Sequence, residues 1–301
     1  MNVLISVNNL YLDKAKTMLH SMRRNNCERT TVYLMNHCLS KGSVQRFREY
    51  LQHKLNMTLI EIDVSKTELD HMPLGNAHFS IEMYYRILAQ FLLPEDIDRI
   101  LWLDADIIIC RSLYKFYHQD FGGKYIIACP DAMNDSKEVS FLKEKLGLPM
   151  DHIYFNSGVL LLNLYALRMN TCIETIVRTA HELADRLTYP DQDLLNYLYK
   201  DKIKYCNWEE YNYQVHEKKY IEKEMLDKIV ILHYAGDIKP WNFYHISQAS
   251  SMYWKEIIKR KKWWTILVNA VLLGAWKVYI HCKIWVVVAK MRLFIGKYKA
   301  K

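Results

Sequence analysis

The seven cysteines of this 301-residue chain include no Cys-x-x-Cys pair. Their odd number and scattered spacing argue against a disulfide framework and a structural zinc site. Cys110 and Cys129 lie in apolar runs and read as buried thiols. No signal peptide precedes Met1-Asn2-Val3-Leu4-Ile5, which reads as a first strand, so the expected compartment is the cytoplasm. Internal repeats and low-complexity linkers are absent. Basic excess is also missing from most of the chain. Of the net charge of +8, residues 255–301 carry +11 (twelve Lys/Arg against Glu256), which leaves −3 on the first 254. That distribution argues against nucleic acid as a partner and for a tail that meets an anionic surface. Aromatics are plentiful, with 22 Tyr and 8 Trp, but serve sugar sites, membrane interfaces and ordinary cores alike.

The apolar fraction of 51% is ample for a core. Short apolar runs alternate with longer amphipathic ones. Leu4–Val7, Thr31–Met35, Thr58–Val64, Arg99–Trp102, Tyr125–Cys129, Ile153–Leu164 and Ile229–Ala235 read as strands. Asp13–Asn25, Ser40–Leu55, Ser80–Leu93, Thr171–Arg186 and Asp191–Tyr199 read as helices, with Ser40 and Ser80 as N-caps and Pro94 and Pro190 as a stop and a start. This alternation predicts an α/β fold with a mostly parallel sheet and helices on both faces. Ligands of such sheets bind beyond the carboxyl ends of the strands.

Polar residues at those ends carry the chemistry. In Leu101-Trp102-Leu103-Asp104-Ala105-Asp106-Ile107-Ile108-Ile109, two carboxylates interrupt an apolar strand. Burying them unpaired is costly, so they either share a cation such as Mg²⁺ or Mn²⁺, cap a turn, or pair with a nearby arginine. His233 closes the apolar run Ile229–Leu232, and Gly236, Lys239, Pro240 and Trp241 follow. A lone histidine there is ordinarily a satisfied core residue. The glycine and lysine after it shift the reading towards a ligand and a phosphate loop. Tyr154-Phe155-Asn156-Ser157-Gly158 places an amide and a hydroxyl in an apolar strand. Asp191-Gln192-Asp193 opens a helix, where carboxylates serve as caps or as partners for sugar hydroxyls. Arg86 follows Tyr84 and Tyr85; its plainer reading is a surface salt bridge.

Taken in order, these segments resemble glycosyltransferase family 8, from Asn2 to about Trp241, with His78-Phe79-Ser80 and Tyr85-Arg86 completing the pattern. The resemblance implies a GT-A-type, Rossmann-like nucleotide-sugar-binding domain and a hexosyltransferase that retains anomeric configuration. It implies Mn²⁺ (or Mg²⁺) on Asp104, Asp106 and His233. It implies a UDP-sugar along Val7-Asn8-Asn9-Leu10-Tyr11 with Arg86, Asp104 and Ala105, and phosphates on Gly236 and Lys239. Asn156, Asp191 and Gln192 would hold the donor sugar, and His78 would sit where donor meets a saccharide acceptor. Asp191, Gln192 and His78 are thus the expected catalytic residues. Acids are usual where Asn8 and Asn9 stand, which weakens recognition of a uracil N–H. An Asp-nucleophile phosphatase is a competing reading of Asp104, although Ile107 and Ile108 replace the residues that normally follow its motif. A nucleotide-binding scaffold without turnover is another.

Residues 1–254 read as the catalytic domain and 255–301 as a membrane-associating tail. The longest uncharged run of that tail, Trp263–Trp276, has 14 residues, short of the roughly 20 a spanning helix needs. Drawn as a helix, the tail is amphipathic, basic and aromatic, with Trp264, Leu267, Val271, Val278 and Trp285 on one face and Lys262, Lys283 and Lys290 on another. The expectation is a protein peripheral to the inner face of the cell membrane, with a lipid-linked or cell-surface saccharide as acceptor. The alternative is a helix packed on the domain or on a second subunit.

Overall fold

The computed structural model describes residues 1–64, 72–73, 81–215, 220–237, 239–242 and 247–261. The chain divides into two compact units, Met1–Met252 and Tyr253–Lys301. Of the second, the described residues are Tyr253–Lys261, which belong to a helix Gln248–Lys261. The apolar part of the tail and His78 lie outside the described residues. Among the described residues no helix is long and apolar enough to cross a membrane.

The first unit carries ten strands among its described residues: β1 Asn2–Ser6, β2 Thr31–Asn36, β3 Thr58–Asp63, β4 Arg99–Leu103, β5 Ile107–Ile109, β6 Ile126–Pro130, β7 Phe155–Asn163, β8 Ile203–Tyr205, β9 Tyr213–Gln214 and β10 Ile231–His233. Seven form one sheet in the order β3-β2-β1-β4-β7-β6-β8. Its neighbours are parallel except that β7 runs against β4 and β6. Side chains alternate across it, as strand geometry requires. Leu4, Tyr33, Ile100, Trp102, Leu160 and Leu162 enter one apolar layer, while Val3, Ile5, Leu34, Leu101, Val159 and Leu161 enter the other. Both faces are therefore buried, which explains why these strands read as continuous apolar runs.

A second, three-stranded sheet has the order β5-β10-β9. The apolar run around Asp104 and Asp106 is thus two strands in two sheets, and the carboxylates occupy the switch between them. The antiparallel course of β7 matters equally. Its first residues lie beside the last of β4 (Leu103 pairs with Val159, and Asp104 N–H donates to Gly158 O at 2.9 Å). Asn156, Ser157 and Gly158 are thereby delivered to the carboxyl end of β4.

Ser40 caps its helix by accepting from Ser43 N–H, as its position predicts. Ser80, the other expected cap, lies outside the described residues, and 81–93 is not one helix: it holds a 3₁₀ segment, Ile81–Arg86, and a single α turn, Ala89–Leu92. Residues 84–90 are all buried, so this stretch threads the interior instead of presenting one amphipathic face. Cys129 is buried as expected, but Cys110 is only half-buried.

Candidate active site

Arg86 is the hub of the site. It is buried, not a surface residue. Its guanidinium lies 3.1 Å from Asp104 Oδ1 and 3.2 Å from Asp191 Oδ2, the second contact an ion pair without hydrogen-bond geometry at Nε. Nη1 donates to Ser157 O and Oγ at 2.8 and 2.9 Å, and Cζ lies over the Trp102 ring, 4.5 Å from its centre. Trp102 Nε1–H also donates to Asp104 Oδ1 at 2.9 Å. Residues distant in sequence are thereby locked into one constellation by a planar, permanently charged fork.

On the other side of Asp104 stand Asp106 and His233. Strand β10 pairs antiparallel with β5, and His233 lies opposite Ile107. Its Nε2 is 3.5 Å from Asp106 Oδ1 and 4.0 Å from Asp104 Oδ2. One donor atom from each of the three residues falls within 4.8 Å of the others. Gly158 makes room for them: a Cβ there would come within 2.3 Å of His233 Cε1 and 2.9 Å of Asp104 Oδ2. Two carboxylates and an imidazole around a space kept open by a glycine fit a divalent ion of the Mn²⁺ or Mg²⁺ kind.

Electrostatics sort the carboxylates. Burial opposes ionisation of Asp106, but Lys239 and His233 overcome it and hold its pKa well below the usual carboxylate range. Lys239 Nζ sits 2.5 Å from Asp106 Oδ2 and also donates to Tyr234 O at 2.9 Å. Burial raises the pKa of Asp191 despite Arg86, and that of Asp193 despite three donors. Asp193 accepts from Tyr154 Oη–H and from Thr188 and Tyr189 N–H, the last two just ahead of the helix Pro190–Leu198. It braces the turn that leads into this helix from within its first turn. Asp191, by contrast, faces Arg86 and accepts from Ser157 Oγ–H at 2.9 Å.

Val7, Asn8, Tyr11, Arg86, Asp104 and Ala105 line one cavity of about 250 Å³ at the ends of β1 and β4. Ser6, Glu82 and Met83, which sequence reasoning did not select, line it too. Asn9 is exposed and outside this lining. Asn8 Oδ1 accepts from Leu10 and Tyr11 N–H at 3.0 and 3.2 Å, so in this arrangement it shapes the turn. Tyr11 meets Trp241 edge to face at 5.7 Å, docking the loop that carries Gly236 (φ +77°) and Lys239 against the cavity. Gln192 Oε1 accepts from Ser157 N–H and Asn156 Nδ2 at 3.0 and 3.1 Å. Asn212, fully buried, was also missed. It stands between two tyrosines in a stretch with no motif, and another amide, Gln214, lies two residues on, so nothing singles it out in sequence.

A family model described as "Glycosyl transferase family 8" matches residues 2–244. A lipopolysaccharide 1,2-glucosyltransferase of Escherichia coli (strain K12) is 27% identical over 87% of this chain and 79% of its own length. The glycosyltransferase GlyF of Streptococcus pneumoniae serotype 4 is 26% identical over 84% of this chain, which spans 60% of that relative. Among solved structures, the galactosyltransferase LgtC in complex with donor and acceptor sugar analogues superposes with a TM-score of 0.74 at 22% identity, over 85% of this chain and 95% of that one. The likeness establishes a GT-A-type fold.

Proposed function

The chain belongs to glycosyl transferase family 8, and from that membership and the geometry of its site we propose that it moves a hexose, galactose or glucose, from a UDP-sugar to a saccharide acceptor with retention of configuration. The observation that carries the reading is the convergence of Asp104, Asp106 and His233 beside the cavity at the ends of β1 and β4. A divalent ion on these three residues, with Mn²⁺ suiting the mixed oxygen and nitrogen donors, would supply Lewis-acid stabilisation of the leaving diphosphate. Lys239 is the fixed positive charge beside it. Arg86, paired with both Asp104 and Asp191, ties the metal side of the site to the residues assigned to the donor sugar.

Retention is taken from the family resemblance, and Gln192 bears only on the route by which it is reached. Its side-chain oxygen already takes two hydrogen bonds and carries no charge, so it makes a poor covalent nucleophile. We therefore favour front-face substitution. The acceptor hydroxyl oxygen bonds to the anomeric carbon from the side on which the bond to phosphate oxygen breaks. The hydroxyl proton passes to that departing oxygen. Asn156, Asp191 and Gln192 orient the sugar; His78 is assigned to the donor–acceptor junction on the resemblance alone. The relatives named for lipopolysaccharide glucosyltransfer support a lipid-linked or cell-surface saccharide as acceptor. The basic, aromatic tail supports a peripheral position on the inner face of the cell membrane. An Asp-nucleophile phosphatase is disfavoured because Asp104 Oδ1 is already engaged by both Arg86 and Trp102.

The test is UDP release from UDP-glucose and UDP-galactose, with Mn²⁺ and with chelator, by the wild type and Asp106→Asn. Release that requires both metal and Asp106 is expected, since water substitutes slowly for the acceptor. Equal release by the variant, or release indifferent to chelator, would overturn the metal assignment. Retained nucleotide binding with no turnover of any nucleotide sugar would favour a scaffold.

A further inference from the structure

Beneath the three candidate metal ligands runs a continuous chain of side-chain amides whose polarity can be deduced. It begins at two backbone N–H groups, which can only donate. Ser157 N–H points at Gln192 Oε1 at 3.0 Å, so that atom is oxygen. The Asn156 atom 3.1 Å from the same oxygen must then be its NH₂. Independently, Gly158 N–H points at the other Asn156 atom at 3.0 Å, which must be oxygen. The two anchors agree on one orientation of Asn156. Asn212 approaches that Asn156 oxygen at 3.0 Å and must do so with its NH₂. The remaining Asn212 atom is therefore oxygen, and it lies 2.8 Å from His233 Nδ1. An amide oxygen only accepts. Nδ1 must hence carry hydrogen, and Nε2, the nitrogen facing Asp106 and Asp104, keeps its lone pair available whenever the ring is neutral.

We propose that Asn212 is a positioning residue that fixes the tautomer and ring plane of His233, as the last link of a relay from Ser157 N–H through Gln192 and Asn156. The inference rests on the proposal that Asp104, Asp106 and His233 hold the metal. Gln192, at the start of the relay, is half-buried, but the links that reach the imidazole are not: Asn156 is buried, Asn212 fully so, and His233 is at 2% exposure. Water is therefore a poor substitute for a missing link. Backbone geometry holds Asn212 in place: its N–H closes the short helix Trp208–Tyr211 on Trp208 O, and strand β9 begins at the next residue, in parallel register with β10. The relay also joins two functions, because the amides assigned to the donor sugar are those that orient the imidazole assigned to the ion. Partners that orient a metal-bound histidine through its other ring nitrogen typically account for about 10- to 100-fold in metal affinity.

The experiment has two arms on the full chain. In the first, long-range ¹H–¹⁵N spectra of ¹⁵N-histidine-labelled wild type are recorded metal-free and with Mg²⁺, and the His233 signals are identified by their loss in His233→Gln. A pyrrole-type Nδ1, one bearing hydrogen, is expected in both states; a pyridine-type Nδ1 would overturn the relay. In the second, Mn²⁺ affinity is read from the electron paramagnetic resonance of free Mn²⁺. Asn212→Leu is expected to bind about 10- to 100-fold more weakly. Asn212→Asp, which keeps an acceptor for Nδ1–H, is expected to recover most of that loss. Equal affinity of a folded Asn212→Leu variant and the wild type would sink the proposal, as would failure of Asn212→Asp to exceed Asn212→Leu. Should the wild type itself bind no Mn²⁺, the metal assignment fails, while the wild-type spectrum still decides the relay.

Discussion

The missing side chain at Gly158 is as functional as any present one. Its Cα faces His233 and Asp104 so closely that even a methyl group collides with both. Its φ is not in the left-handed region, so the constraint is space and not backbone freedom. Gly158→Ala must push His233 or Asp104 aside, by an amount comparable to the displacements that cost about 100-fold in rate. We expect a loss of that order in metal-dependent UDP release, with stability lowered by only about 1–3 kcal/mol. Steady-state kinetics beside urea denaturation would separate the two effects, and a variant with wild-type turnover would contradict this account of the cradle. The buried acids give a second prediction at this scale, of opposite signs. Asp106 has a lowered pKa, so its contribution to stability is present above about pH 4 and is lost as pH falls below that. The penalty of Asp106→Asn in metal-free protein should therefore shrink on acidification. Asp191 has a raised pKa, so its contribution is full below about pH 4 and is lost as pH rises through the raised value. The penalty of Asp191→Asn should be larger in acid than at neutrality. Denaturation midpoints of the wild type and both variants across pH would expose a shared sign, which would contradict the assignment.

At the scale of elements, the fold was legible where pattern and environment agree. The central strands β1, β2, β4, β6 and β7 are buried on both faces, so their apolar runs stand out and their bounds are read within two residues, while the half-exposed edge strand β3 shows by its composition and β10 is shorter than its run, at Ile231–His233. What escaped detection was short or misleading. Strand β5 has three residues and continues the apolar run of β4, so nothing in Ile107–Ile109 signals that the chain has changed sheets. Strands β8 and β9 are as short, and their identity comes from neighbours. The helix Lys137–Leu146 carried usable signals that were not used: Ser136 accepts from Val139 N–H at its start, and Gly147 ends it at φ +73°. Asp104, Asp106 and His233 were legible because charged or ligating groups next to apolar runs are costly and need a reason, whereas Arg86 and Asp191, whose plainer readings are a surface salt bridge and a helix cap, stand out only through the family resemblance. Asn212 was not legible, because its partners come from three other elements. Asp191 and Asp193 looked interchangeable in sequence, and the helix Pro190–Leu198 separates them. Asp193 turns back to Thr188 and Tyr189 N–H, whereas Asp191 turns to Arg86. Asp193→Ala should thus cost about 3 kcal/mol or more of stability, because Tyr154 Oη–H and two backbone N–H groups lose their buried acceptor, with turnover of the folded fraction largely kept. Chemical denaturation with parallel kinetics tests this; a selective loss of kcat would move Asp193 into the reaction.

For the molecule as a whole, the charge asymmetry has its own consequence. The first 254 residues carry −3 and the remainder +11, so an anionic membrane repels the body and attracts the tail. On the proposed peripheral position, this asymmetry would turn the tail towards the anionic surface. Lys259, Arg260 and Lys261 end the described helix Gln248–Lys261, and Lys262 precedes the two tryptophans that open the apolar stretch. Each cation near an anionic surface contributes about 1 kcal/mol. Replacing all four with Gln in the full chain should weaken partitioning onto phosphatidylglycerol vesicles at least tenfold. Partitioning onto phosphatidylcholine would rest on the apolar face and change little. Raised salt should reduce wild-type binding to the anionic vesicles in the same direction, because exposed charges are screened within about 10 Å at 0.1 M. Co-sedimentation measures all three. A wild type that ignores both vesicle types yet sediments as a dimer would instead give the tail to a second subunit. UDP release in solution should be unaffected by the four substitutions, since the residues assigned to the donor and the ion all belong to the first unit. The separation matters for the acceptor: a quadruple variant that still hydrolyses the donor but no longer glycosylates a membrane-embedded acceptor would link the tail to substrate access and leave the chemistry with the first unit.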